Sequence, residues 1–570
     1  MHDDAIDAGR LDTSVLIVGA GPTGLTLAIE LARRNVPFRL IDRDARRADT
    51  SRAIGTQART VEVFRIMGIA EAALRPAVWP RALRFAERGR TLARISFASE
   101  PGTGPRLLSM DESDTERVLE ERLIQLGGRI ERSAELTAFR LDEDRIVASL
   151  IEPDGESQVT ARFLVGADGA HSAVRRGAGI GFAGERYPER FLLADIDIDW
   201  ELPHDEGHVW IGGDDLVAVI PLPGERRYRV IAPLSPGQIG REYASEAEIA
   251  AAAETLLRTR SKVPLQRVGK PAWASAFRIQ RRQAERYRVG PVFLAGDAAH
   301  VHSPVGGQGM NTGIQDAFNL GWKLALAARG IAAPGLLDTY EAERHPIARS
   351  VLRGTDLATR LVLARNPLVE SIREHLVPAV VSLPPVQRRM LAAVSQVNIG
   401  YRGSAISVDA GHARGKRGRL ARDAGIRPGD RVPDAVLVDP VAGQDVTLFD
   451  LIARGWVLLL FPGENPSPER MATVHGLAEQ TRQMVGEEVR AYVILDRSTG
   501  PGPHGTILSD PTGALARVFG GSEDLAALVR PDGYLGYRGR LAQTGDLASY
   551  LARVFAMQIR AAGADRALTR

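Results

Sequence analysis

The sequence predicts an α/β protein: a parallel sheet layered with helices, an antiparallel sheet inserted into it, and a further α/β domain towards the C-terminus. Three observations carry that expectation. A continuous apolar run, Val15-Leu16-Ile17-Val18, leads through a glycine-rich turn into a helical pattern and then a second apolar strand. Between residues 192 and 234 apolar and polar residues alternate, as the strands of an antiparallel sheet do. Beyond a change of composition at 425–435, apolar strands again alternate with loops and helical segments.

The chain of 570 residues is long enough for a large core and for about three or four domains of ~150 residues. Its 44% hydrophobic and 25% charged residues are the balance of an ordinary soluble globular protein. Lys+Arg number 73 and Asp+Glu 70, a net +3 that does not suggest a nucleic-acid partner. The densest basic patch, HARGKRGRLAR at 412–422, reads as a solvated interdomain segment. With no cysteine, disulfides, thiolate metal sites and thiol redox chemistry are excluded. No H-E-x-x-H-like spacing is present, so no metal is expected. The N-terminal MHDDAIDAGRLD has neither the basic nor the apolar region of a signal peptide, and the apolar stretch 15–29 falls short of the roughly 20 residues a bilayer needs. A cytoplasmic protein without a membrane partner is expected.

In order along the chain, the first strand runs into Gly19-Ala20-Gly21-Pro22-Thr23-Gly24 and the helical LTLAIELARRN, and the strand PFRLID ends in Asp42. This is strand, G-x-G-x-x-G, helix, strand, acid, the fingerprint of a dinucleotide site. Gly19 permits the tight turn, Gly21 lets a pyrophosphate approach the backbone, and Gly24 lets helix and strand pack closely. Asp42 is placed for a ribose hydroxyl. The fingerprint alone leaves NAD and FAD open. Next, FLVGADGAHSAVRR (163–176) is an apolar strand ending at Asp168-Gly169, which read by itself is also a turn capped by Ser172. Finally VFLAGDAAH (292–300) is a strand running into Gly296-Asp297, and Gly306, Gly307 and Gly309 lead into the helical NTGIQDAFNLGWKLALAARG (311–330). A carboxylate at a strand end beside a helix N-terminus suits a sugar-like hydroxyl and an electron-rich ring edge. A ribityl chain and an isoalloxazine ring have both.

GAGPTGL, GADGAHSAVR and FLAGDAAHVHSPVGGQGMNTGIQDAFNLGWKLA, in this order and spacing, resemble the three motifs of the class A flavoprotein aromatic hydroxylases, the p-hydroxybenzoate hydroxylase-like family. The resemblance covers residues from about 12 to 400. It implies that Gly19, Gly21, Gly24 and Asp42 hold the ADP part of FAD. Arg52, in TSRAIGTQARTVEVF, resembles the family arginine near the pyrophosphate and the nicotinamide path. Asp168 resembles a residue serving both FAD and NAD(P)H, and Asp297 would bind the ribityl chain. The peptides of Gly309, Met310 and Asn311 would face the pyrimidine side of the flavin, and Pro304 matches a proline beside substrate and flavin. Pro304 and Arg52 are thus the residues expected nearest the chemistry. MDESDTERVLEERL (110–123) resembles a segment that usually reads Pro-Gln-x-x-x-Glu-Arg: Arg117 is retained, and Glu112 replaces the glutamine. A carboxylate near a pyrophosphate is repulsive unless protonated or turned away. Arg43, Arg46 and Arg47 follow Asp42 and either neutralise a cofactor phosphate or are surface charge. For His300 and His302 a packing or loop role is expected.

The fold implied is a Rossmann-like FAD-binding domain (1–75, 105–185 and 285–400, with bracing helices) carrying an inserted β-sheet substrate domain (76–104 and 186–284). Trp210, Tyr228 and Phe277 either line a substrate cavity or merely pack that sheet. Residues 425–570 look like the thioredoxin-like domain of phenol- and polyketide-hydroxylase-type members. PGENPSPERM stands where a redox thioredoxin carries Cys-x-x-Cys, so only a structural or association role is expected. The activity implied is hydroxylation of an aromatic or polycyclic phenolic substrate through a flavin C4a-hydroperoxide, with FAD, NADPH (or NADH) and O2, in a monomer or homodimer. The alternative is a flavin-bound protein that sequesters an aromatic ligand without turnover. A flavin halogenase is disfavoured, because WELPH (200–204) does not match its Trp-x-Trp-x-Ile-Pro element.

Overall fold

The computed structural model describes residues 11–47, 53–87, 89–97, 107–212, 215–234, 245–302, 307–363, 380, 383–410, 425–496, 507–521 and 524–556, without the side chains of 186–189, 212, 215, 277–279 and 357–363. The chain divides into two compact units, Met1–Gly321 with Arg344–Asn398, and Trp322–Glu343 with Ile399–Arg570.

The first unit holds two large sheets. In one, the strands Val292–Leu294, Gly155–Gly166, Thr13–Val18, Phe38–Asp42 and Glu131–Arg132 lie parallel in that order. Val15, Leu16 and Ile17 are wholly buried, as a central strand covered on both faces requires. The helix Pro22–Ala32 starts with proline in its first turn, where the missing N–H costs nothing, and buries Leu25, Leu27, Ala28, Ile29 and Leu31. The strands Arg145–Glu152 and Glu135–Asp142 extend the sheet antiparallel.

The second sheet has eight strands, and its two longest, Phe182–Asp199 and Arg267–Ala284, pair antiparallel. Ala82–Glu87 and Arg90–Ser96 join its far edge, beside Glu206–Gly212. One face is covered by the helix Glu246–Arg260, which a Ser245/Glu248 capping box starts. Leu192, Ala194, Ile196, Ile198, Val217, Val219, Val230 and Ala232 pack there against Ile249, Ala253 and Leu257. This alternation commits every second residue of each strand to the opposite face.

The second unit is built on a mixed sheet of eight strands. Trp456–Phe461, Val489–Leu495 and Ile507–Ser509 run parallel, and Leu525–Val529 and Leu535–Gly539 follow antiparallel on the other side. Its core gathers Trp456, Leu458, Leu460, Val493, Leu528 and Tyr537 around Trp322, Leu326 and Leu336. Trp322, Leu326 and Leu336 precede the composition change at 425–435 by about a hundred residues, so the core is not made by the C-terminal segment alone.

Candidate cofactor and substrate site

The three motifs meet because their strands are adjacent, parallel and in step. Val18 lies opposite Gly166, and Gly166 opposite Leu294. Gly19, Ala167-Asp168 and Ala295-Gly296 therefore leave the sheet side by side at its carboxyl edge, where open α/β sheets bind ligands. The Ala167 N–H donates to the Val18 carbonyl (2.8 Å) and the Ala295 N–H to the Gly166 carbonyl (3.0 Å).

The glycines of the first motif do different work. Gly19 has φ +103°, and a Cβ there would lie 2.3 Å from the Ala167 carbonyl oxygen. A Cβ on Gly24 would lie 1.9 Å from the Gly19 oxygen. Neither position tolerates a side chain. At Gly21 the nearest atom to such a Cβ is Glu116 Oε1, 3.9 Å away, so the loop is open on that side. Asp42 shapes the loop as well as facing it: Oδ2 accepts from the Ala20 N–H at 2.6 Å and Oδ1 from the Asp44 N–H at 2.9 Å.

Asp168 Oδ2 accepts from the N–H groups of Ala173 (2.7 Å) and Val174 (3.2 Å), and Ser172 Oγ from that of Arg175 (2.9 Å). The capped turn is therefore real. Yet Asp168 Oδ1 is buried without a hydrogen-bond partner among the described residues, and a buried acceptor left unmade is costly. Arg175 ties this motif to the third, donating to the carbonyls of Ala170 and Ala298, each at 2.9 Å.

In the third motif Asp297 is exposed while Gly296, Ala298, Ala299 and His300 around it are buried. Beneath it lies a fully enclosed cluster. Asp316 Oδ2 meets His300 Nε2 at 2.7 Å and accepts from the Gly296 N–H at 3.2 Å, and Asp316 Oδ1 accepts from Arg344 Nε at 2.7 Å. Burial alone would raise the Asp316 pKa. The Arg344 guanidinium and His300 outweigh it and hold the carboxyl below its ordinary value. His300 thus braces the turn that presents Asp297, which accords with the packing role expected of it. The helix Gly309–Ala328 follows, and its first intrahelical bond described is Thr312 N–H to the Gln308 carbonyl (2.9 Å). The N–H groups of Gly309, Met310 and Asn311 precede it at the positive end of the helix dipole. Asn311 also uses its side chain as a lock: Oδ1 accepts from the Gln57 N–H (2.8 Å), and Nδ2 donates to the carbonyls of Gly55 (2.7 Å) and Gly307 (2.9 Å).

Of the other expected site residues, Arg43 is exposed next to Asp42 at the strand end, with Asp44 3.9 Å away. Arg117 runs along its own helix, Glu112–Gln125, to Asp114 (3.2 Å) and Glu121 (3.0 Å). It does not turn to the glycine loop, because i, i+3 and i, i+4 partners capture it on the helix surface. The residues at the loop are instead Glu116 and, among the charges facing it, Arg47. The spacing of Glu116 four residues after Glu112 was the available signal for it. Glu112 bonds to Ala53, its Oε2 accepting from the Ala53 N–H at 3.1 Å. Arg52 and Pro304 lie outside the described residues.

Of the three aromatics, Trp210 and Tyr228 are 4% and 2% exposed and belong to the core under the helix Glu246–Arg260, with Trp200 ring centroids 5.8 and 5.1 Å away. They pack the sheet and do not line a cavity on its other side. Phe277 sits opposite Phe191 in the strand pair, and its side chain is not among those described. The opposite face carries polar groups: Arg229 grips Asp195 with two bonds (2.6 and 2.8 Å) and lies 5.2 Å from the centre of the Trp273 ring. Arg227 bridges Asp195 (3.4 Å) and Asp111 (3.0 Å), the residue that precedes the helix carrying Glu112 and Glu116. This face is therefore the one turned towards the nucleotide loops.

A glycine cradle, an open approach at Gly21, an orphaned acceptor on Asp168 and an exposed carboxylate at Asp297 define a dinucleotide-binding α/β protein with a site extended along three strand ends. Residues 12–355 match the family described as FAD binding domain, and the chain belongs to that family. It is 37% identical to 6-methylpretetramide 4-monooxygenase of Streptomyces rimosus over 94% of this chain and 92% of that protein. It is 35% identical to pentachlorophenol 4-monooxygenase of Sphingobium chlorophenolicum, over 94% and 95%. A crystal structure of a ternary complex of aklavinone-11 hydroxylase with FAD and aklavinone matches with a TM-score of 0.75, at 28% identity over 95% of this chain and 99% of that one. The chain is an FAD-dependent monooxygenase of the aromatic hydroxylase kind. Among the described residues no helix is long and apolar enough to cross a membrane, and no cluster of side chains is arranged to hold a metal ion.

Proposed function

We propose that this chain hydroxylates a phenolic ring of a polycyclic, polyketide-type substrate, with NADPH (or NADH) as the reductant and O2 as the oxygen source. The observation that carries the reading is the convergence of exposed Asp297, the helix-start peptides Gly309 to Asn311 and the Gly19–Gly24 cradle at the ends of three neighbouring strands. FAD, when bound, supplies hydride acceptance and the activation of O2. The chain supplies the rest. Gly21 admits the pyrophosphate and Asp297 accepts from ribityl hydroxyls. The peptides of Gly309, Met310 and Asn311 stabilise negative charge on the pyrimidine edge. By the family resemblance Arg52 serves the nicotinamide path and Pro304 the substrate, and Asp168 turns its spare oxygen to the cofactors. The sheet face bearing Asp195, Arg229 and Trp273 would shield the substrate side from water.

Residues 425–570 read as thioredoxin-like, and without cysteine they serve structure or association, in a monomer or homodimer. An enzyme that consumes NADPH draws on the cytoplasmic pool. The relatives named for 6-methylpretetramide and pentachlorophenol are themselves monooxygenases, which favours turnover over mere sequestration.

The test is direct. The purified chain is expected to be yellow, to oxidise NADPH faster when a polycyclic phenol is added, and to release a product one oxygen atom heavier. Tight binding of such phenols with no stimulated oxidation would favour the sequestering protein instead.

A further inference from the structure

The helix Glu112–Gln125 turns two carboxylates, one turn apart, to the side on which it meets the nucleotide loop. Glu116 Oε1 is the atom nearest the open side of Gly21, 3.9 Å from where a Cβ would stand. Glu112 is held in place by bonds in both directions: its N–H donates to the Ala53 carbonyl and its Oε2 accepts from the Ala53 N–H, each at 3.1 Å. A pyrophosphate entering over Gly21 brings two more negative charges to this spot.

The charged groups facing Glu116 come from each neighbouring element. They are Glu112 on its own helix, Asp42 at the end of the second strand, Arg47 in the segment after it, and Arg132 of the strand Glu131–Arg132. The facing helix contributes none over residues 22–29, PTGLTLAI. Both arginines are shared with Glu120, at 3.7 Å from Arg47 and 3.4 Å from Arg132. Among the described residues, three carboxylates besides Glu116 thus share its surroundings with two guanidinium groups before any phosphate arrives.

We propose that FAD binds the form of the chain in which Glu116 carries a proton, so that in alkaline solution each FAD is taken up together with a proton from solvent. The inference rests on the FAD site described above. Burial and, after it, the negative charge of Glu112 push the Glu116 pKa up to about 8, so the protonated form is the common one at neutral pH. Protonated, the carboxyl loses its repulsion and gains an O–H that can donate to a phosphate oxygen. Ionised, it opposes the phosphate at close range.

Glu116 accordingly favours FAD below its raised pKa and opposes it above. FAD affinity should be flat between about pH 6 and 7 and fall by about tenfold per pH unit above about pH 8. Calorimetric titration of the full-length apoprotein with FAD in two buffers of different ionisation enthalpy counts the protons. Nearly one per FAD is expected at about pH 9 and almost none at about pH 6.5. Glu116→Gln, a permanent mimic of the protonated acid, should bind FAD with no fall at alkaline pH. Glu112→Gln should keep the fall but start it at lower pH, because one cause of the raised pKa is gone. Absence of proton uptake at about pH 9 in the wild-type chain overturns the proposal, as does a Glu116→Gln chain with the wild-type pH slope. If Glu116→Gln does not fold, the wild-type proton count decides alone. A chain that binds no FAD at any pH would instead sink the flavin reading itself.

Discussion

Two buried ionic clusters, one in each unit, look alike as inventories and differ in what they support. In the first unit His300, Asp316 and Arg344 are each 1% exposed or less, and the turn they brace presents an exposed carboxylate, Asp297. In the second, Lys323 Nζ meets Glu343 Oε2 at 2.8 Å, Arg530 donates to Glu343 (2.7 and 2.8 Å) and to Asp532 (2.6 and 3.0 Å), and Ser404 Oγ donates to Glu343 (2.6 Å). Arg530 lies 5.3 Å from the ring centres of both Trp322 and Tyr401, and every ionic member is buried. The second cluster joins Lys323, Glu343, Ser404, Arg530 and Asp532 inside the core of its own unit. Buried charge, therefore, does not mark a functional site. Buried charge that orients an exposed group at a strand end does.

The comparison can be broken experimentally, starting where the largest effect is expected. Arg530→Ala takes the guanidinium away from buried Asp532 and leaves buried Glu343 with Lys323 alone, and should cost about 3–5 kcal/mol, read as a drop in thermal stability or as insoluble protein. The same cluster should fail in acid. Burial pulls the Glu343 pKa up, but Arg530 and Lys323 more than reverse this and leave it well below the ordinary carboxylate value. Its contribution is then complete above about pH 4.5 and lost as the pH falls through the lowered pKa, so acid titration followed by tryptophan fluorescence should report loosening around Trp322 and Trp456.

Asp297→Ala should act the other way, on the ligand and not on the fold. One charge-assisted bond to a ribityl hydroxyl is worth about 1.5–3 kcal/mol, or about 10- to 150-fold in FAD affinity, whereas an exposed side chain changes apoprotein stability by no more than about 0.5 kcal/mol. Flavin fluorescence on dilution measures the first and thermal denaturation the second. Equal losses in both would erase the distinction between the clusters. The smallest effect sharpens the sheet: Trp210→Phe should cost about 1 kcal/mol of stability and leave the choice among phenols unchanged, while Trp273→Ala should shift that choice. A changed substrate spectrum in Trp210→Phe would return that residue to the cavity.

Much of this was legible in local sequence. Glycine positions, apolar strands and terminal acids announce the three motifs, because each is a local requirement of turn geometry, burial or phosphate approach. Asp168 shows the limit of that reading. Its capping of Ala173 and Val174 is local, but the oxygen left without a partner among the described residues emerges only once the strand ends are assembled. Arg117 shows another limit, since spacing along a helix offers it Asp114 and Glu121 as readily as a loop in space. Trp210 and Tyr228 illustrate a third. Alternation assigns them to one face of a strand, but whether that face meets a helix or a cavity depends on where residues 246–260 fold back.

Sequence by itself determined the parallel unit, the antiparallel sheet and a dinucleotide site, because periodicity and glycine placement are properties of neighbours along the chain. Tertiary structure alone decided that Glu116 and not Arg117 stands at Gly21, that Asp195 and Arg229 share the face turned to the nucleotide loops, and that Trp322 to Glu343 fold with the C-terminal segment. Those outcomes depend on which distant surfaces exclude water from each other, and that selection is made by the packed chain as a whole.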